Sequence, residues 1–127
     1  MPSFLSPLLR ADSASYSLEN VRTGAVVDKR LLTAFDSQAR RKGLLGRDSL
    51  PEATALVIAP CNAVHTFFMR FAIDVAFVTR EGRVIKVRAA VRPWRMTGAL
   101  RAFAVVELPA GALALTNTVP GDVLVVR

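Results

Sequence analysis

The sequence predicts a mainly β domain, and three observations carry that expectation. Short apolar runs rich in Val, Ile and Phe recur between Ala55 and Arg127. Several of them alternate apolar and polar residues, the period of a half-buried strand. Glycine, proline and aspartate stand between the runs, where turns are needed. Six or more short strands with little helical pattern build a β-sandwich or a barrel.

Residues 1–17 are rich in Ser, Ala and Pro without a sustained period, so they read as a flexible N-terminal arm ahead of a single β domain over 18–127. From Val21 to Phe35, apolar clusters separated by Gly24 and by Asp28-Lys29-Arg30 suggest two strands or a hairpin. Asp36 to Gly43 has an N-capping aspartate, helix formers, cations in its last turn and a terminal glycine, which predicts one short helix. The expected strands downstream are Ala55 to Ala59, His65 to Phe71, Ile73 to Val78, Arg83 to Val91, Arg101 to Leu108 and Val123 to Arg127. Glu81-Gly82 and Pro120-Gly121-Asp122 supply turns between them, and Pro109-Ala110-Gly111 ends a strand. Between Arg83 and Arg92, Ile85, Val87, Ala89 and Val91 fall on one face, with Lys86, Arg88 and Arg92 on the other.

At 127 residues, with 52% hydrophobic and 21% charged, the chain fits one domain that needs no disulfide or metal to hold its core. The single cysteine, Cys61, agrees with this, since an intramolecular disulfide needs two. No apolar run approaches the ~20 residues that span a bilayer, because Arg70, Asp74, Arg80 and Glu81 interrupt the most hydrophobic region. The first ten residues lack a basic segment and their apolar stretch is broken by prolines, which argues against a secretory signal and for a cytoplasmic protein. Lys and Arg number 17 against 10 Asp and Glu, a net charge of +7, and most of the cations are arginine. Arginine suits bidentate binding of carboxylate or phosphate, so an anionic partner fits this balance; a compositional bias with a solvated surface fits it equally.

Four segments in order carry a resemblance: Arg40-Arg41-Lys42-Gly43-Leu44-Leu45-Gly46-Arg47, His65-Thr66-Phe67-Phe68-Met69-Arg70, Ile73-Asp74-Val75-Ala76-Phe77 and Glu107-Leu108-Pro109-Ala110-Gly111. From about Thr33 to the C-terminus the chain resembles the domain of unknown function 192 family of small prokaryotic proteins. The resemblance implies a single compact β-sandwich of jelly-roll type with one or two short helices, and it implies no activity. Leu45 stands where methionine is usual, Phe68 where many members have tryptophan, and Phe71 where a polar residue is common.

His65, the only histidine, is a candidate general base, with Asp74 or Glu107 as the carboxylate that orients it. The plainer reading is a histidine that ends a strand. Asp74 and Glu107 lie in apolar strands, where a carboxylate must face solvent or find a partner; Arg47 and Arg70 are the expected partners. Cys61 and His65 fall short of a zinc pattern, and neither metal nor cofactor is expected. No phosphate-binding loop, dinucleotide fingerprint or serine-hydrolase elbow is present. Arg92-Pro93-Trp94-Arg95 sets the only tryptophan among guanidinium groups; with Lys86 and Arg88 it could form an aromatic and cationic patch for a phosphate, carboxylate or sugar acid.

The first functional expectation is therefore a non-catalytic binding module that recognises a small anionic or polar ligand, or a protein partner, through Arg70, Arg88, Arg92, Trp94 and Arg95. The second is a hydrolase-like enzyme using His65 with Asp74 or Glu107, and the third is nucleic-acid binding through the basic face.

Overall fold

A computed structural model describes residues 3–9 and 16–127. Asp36 starts the helix as its sequence requires: its carboxylate accepts the amide of Ala39, and the Gly43 amide closes on the Ala39 carbonyl where the chain turns to φ +47°. This helix, α1 (Ser37–Lys42), joins β3 (Arg30–Ala34) to β4 (Thr54–Ile58), and the crossover lets those strands pair in parallel. The remaining partners are antiparallel: β9 (Ala104–Pro109) beside β4, β6 (Ile73–Val78) beside β9, and β7 (Val84–Val91) at the edge. Together they form one five-stranded sheet.

Every residue of β4, β6 and β9 except Pro109 is buried. Strands that are apolar on both faces must be covered on both. On one face Val57, Ala76, Val78, Val106 and Leu108 meet Leu18, Val27, Leu124 and Val126 of a second sheet. That sheet contains β1 (Leu18–Asn20), β2 (Val26–Asp28) and β10 (Leu124–Val126). On the other face Leu56, Ile58, Val75, Phe77 and Val105 are covered by Leu44, Leu50 and Met69 from the connecting segments. The protein is mainly β, with ten strands and two short α-helices among the described residues.

Three expectations are corrected. The N-terminal arm is not free where it is described: a 3-10 helix, Ser6–Leu9, follows Leu5, and Leu5 and Leu8 enter the first core. Two leucines at this spacing recover more free energy buried than exposed. Residues 1–2 and 10–15 lie outside the described part of the chain. The strand expected over His65 to Phe71 shrinks to β5 (Ala63–His65), paired with an unforeseen β8 (Met96–Gly98); the Met69 amide bonds back to the Thr66 carbonyl and makes a turn instead. The expected alternation in β7 is also broken. Its register against β6 slips between Ile73 and Val75 and again between Phe77 and Val78. These bulges put Ile85 and Val91 against the second core while Val87 packs on the first.

Candidate functional site

Glu107 in β9 lies opposite Val75 of β6 and Leu56 of β4, so its side chain belongs to the α1 side of the central sheet. Only 3% of the residue is exposed. Burial alone pushes its carboxyl up to about 7, with no hydrogen bond or cation offsetting the desolvation. It forms the floor of a cavity of about 370 Å³ whose walls include Leu44, Leu45, Ile58, Val64 and Met69. Arg40, Arg41 and Lys42 from the end of α1, with His65 from β5, stand at the more exposed margin. Cys61 also lines this space; its thiol donates to the Ala63 carbonyl at 3.2 Å, and burial pushes it up.

The cavity thus brings together His65 and Glu107, two of the three candidate catalytic residues. Asp74 is not with them. It pairs in register with Leu108, one position from Glu107, and successive residues of a strand point to opposite faces. Fully buried, its carboxylate accepts the amides of Ala90 at 2.8 Å, Gly111 at 3.1 Å and Leu113 at 2.9 Å. The expected arginine partners are replaced by backbone donors, and Arg70 pairs instead with Asp48 on the surface. His65 is exposed, accepts the Phe67 amide on Nδ1 at 3.2 Å and stacks on the Phe67 ring at 5.0 Å.

From His65 an aromatic ledge runs outward. Phe67 lies 5.9 Å from Trp94, and Phe68 meets Trp94 edge-on at 4.6 Å. Phe68 is 72% and Trp94 56% exposed. The buried Thr66 staples the two loops: its hydroxyl donates to the Arg92 carbonyl at 2.6 Å and accepts the Arg95 amide at 2.9 Å, while its carbonyl accepts the Trp94 amide at 3.0 Å. Arg92 and Arg95 flank Trp94 in the stapled loop, and Arg88 lies exposed on neighbouring β7. Lys86, expected in the same patch, is committed elsewhere: its ammonium donates to the Gly98 carbonyl at 2.6 Å and sits 5.6 Å above Phe77.

The family model DUF192, described as an uncharacterized ACR, matches residues 19–126. The chain belongs to the DUF192 family. Among curated proteins no sequence matches it. A protein of unknown function from Novosphingobium aromaticivorans DSM 12444 has a similar structure, with TM-score 0.74 and 23% identity over 86% of this chain and 81% of that one. A Sinorhizobium meliloti 1021 protein, described only as a proposed transcription regulator, is similar with TM-score 0.76 and 18% identity over 90% of this chain and 95% of that one. These likenesses show that the DUF192 chain shares their fold.

One group in this DUF192 chain escaped the sequence reading. Asp28, at the end of β2, is fully buried, and neither carboxyl oxygen has a hydrogen-bond partner among the described residues. Desolvation pushes it up to about 8. The only signal was a lone acid after Val26-Val27, which reads as a turn residue until the strand pairing is known. Among the described residues no helix is long and apolar enough to cross a membrane, and no group of three or more His, Cys, Asp or Glu could hold a metal ion.

Proposed function

We propose that this DUF192 protein is a non-catalytic binding module that takes a small anionic or polar ligand on the face made by the aromatic ledge and the adjoining cavity. One observation carries the reading: Phe68 and Trp94 are held exposed at φ +65° and +68°. Such conformations cost on the order of 1–3 kcal/mol each and persist only where the surroundings over-determine them. Here the Thr66 staple does so, and the two rings stay in water rather than filling a core. Arg88, Arg92 and Arg95 supply charge beside a surface suited to stacking.

Thermal denaturation against phosphates, sugar acids, sugars and short nucleic acids tests this. A ligand at 100 times its dissociation constant stabilises the folded state by about 2.7 kcal/mol. The expected result is a shift with a small anion or sugar that Trp94→Ala abolishes, and that Arg92→Ala also abolishes where the ligand is an anion; a panel in which neither anions nor sugars shift the midpoint overturns it. A second reading, a hydrolase-like enzyme, is favoured by His65 and Glu107 sharing one cavity. It requires hydrolysis of some ester or glycoside that both His65→Ala and Glu107→Gln remove.

A further inference from the structure

We propose that the Glu107 cavity is the enclosed end of this binding face and selects a hydroxylated oxyanion, a sugar acid or sugar phosphate, with its hydroxyls on Glu107 and its anionic group on Arg40, Arg41 and Lys42. The inference rests on the binding-module reading and names the ligand class.

The floor, walls and margin of the cavity impose different demands. Glu107 is a buried carboxyl with no hydrogen-bond partner among the described residues, so a molecule that displaces water from it must bring a hydrogen-bonding group; leaving it dry and unpaired costs about 1–3 kcal/mol. A hydroxyl meets this need in either protonation state, since it donates to a carboxylate and accepts from a carboxylic acid. Leu44, Leu45, Ile58, Val64 and Met69 are apolar, and they match the C–H faces of a polyol. Gly43 leaves the carboxyl uncovered: a side chain there would begin 3.9 Å from Glu107 Oε1.

The margin then sets the sign of charge. Arg40 donates through one nitrogen to the Phe35 carbonyl at 2.8 Å, and Arg41 through Nε to the Ser37 carbonyl at 3.4 Å, so both keep further donors. Neither they nor Lys42 form an ion pair with an acid among the described residues. An amine would satisfy Glu107 but must pass three cations. A plain fatty acid would suit the margin and walls but leave Glu107 unpaired. Inorganic phosphate alone would leave the apolar walls uncovered. A molecule with an oxyanion at one end and hydroxyls along its length meets all three demands, and the volume falls within the range of small-molecule sites.

Isothermal titration with gluconate, glucose 6-phosphate, hexanoate and glucose decides the matter. Gluconate and hexanoate carry the same charge on the same carbon count, so their difference isolates the hydroxyls. The expected result is gluconate or glucose 6-phosphate binding at least roughly tenfold tighter than hexanoate and glucose. The preferred member of the first pair tells carboxylate from phosphoryl recognition. Glu107→Leu should remove the preference for the hydroxylated anion without weakening hexanoate. Glu107→Gln, which keeps the shape and the hydrogen bonds, should retain the preference even if the leucine variant fails to fold. Arg41→Ala with Lys42→Ala should weaken the anions and leave glucose unaffected. Equal affinities for gluconate, glucose 6-phosphate and hexanoate overturn this inference while the binding module stands. If none of the four binds, the binding-module reading falls with it.

Discussion

Asp74 and Glu107 both sit in apolar strands, and one step of register separates their fates. Asp74 receives three backbone amides, while Glu107 receives none and faces a cavity. Asp28 is more extreme, buried with both oxygens unpartnered. These groups make stability depend on pH in a defined direction. Glu107 rises from 4.5 to about 7 and Asp28 from 3.8 to about 8 on folding, so between those limits the folded state holds protons that the unfolded state has released. Their contribution is complete below pH about 4 and is lost as pH rises through about 7 and 8, by about 1.4 kcal/mol per pH unit for each group that differs. Asp122 acts oppositely: the Arg22 guanidinium holds it well below the usual range, so its contribution is present at neutral pH and is lost in strong acid. Urea midpoints should therefore fall from pH 5 to pH 7.5, and Asp28→Asn should remove about half of that slope. An unchanged slope in the variant would show that Asp28 ionises freely in the folded state. Sequence could flag Asp74 and Glu107 because each interrupts an apolar run; it could not say which one would find donors, since those lie 16 to 39 residues away from Asp74.

At the scale of elements, legibility followed locality. Helix α1 was readable because its cap, cations and terminal glycine are contiguous, and β6 was readable because its apolar run gives way at Thr79-Arg80-Glu81. The bulges of β7 were not, because a bulge is a mismatch between two strands and leaves little trace in one. The same reason hid β8, a three-residue strand that exists by pairing with β5. The ledge was half legible: Trp94 and its arginines stood out, but their attachment to Phe67 and Phe68 depends on Thr66, an inconspicuous residue. Thr66→Val keeps the shape and deletes a hydroxyl that serves Arg92 and Arg95 together. It should cost about 1–3 kcal/mol in a urea titration, because the Arg95 amide loses its side-chain acceptor. It should also weaken any ligand that Trp94→Ala weakens. A variant of normal stability and normal affinity would mean that the ledge needs no staple.

For the whole molecule, the +7 charge matters less than where its unpaired part resides. In the three-stranded layer, Arg22 is tied to Asp122 at 2.6 Å and Arg127 lies 4.0 Å from Glu19. On the cavity side Arg40, Arg41, Lys42 and Arg88 have no acid partner among the described residues, and Arg88 faces the same way because it pairs in register with Val75. These four cations attract an anion to the cavity side. That field alone would attract nucleic acid too, and salt separates the two cases. Duplex binding loses affinity with a slope near −0.9 per phosphate contacted, so six contacts cost about a thousandfold between about 50 and about 200 mM salt. A small anion held by two or three cations, with hydroxyls and ring contacts indifferent to ionic strength, should lose less than roughly tenfold over that range. Fluorescence anisotropy with a short duplex and calorimetry with gluconate, run at both salt concentrations, should find the duplex released and the small anion retained. The reverse order, a duplex that stays bound while small anions do not bind, would transfer the arginine face to nucleic acid.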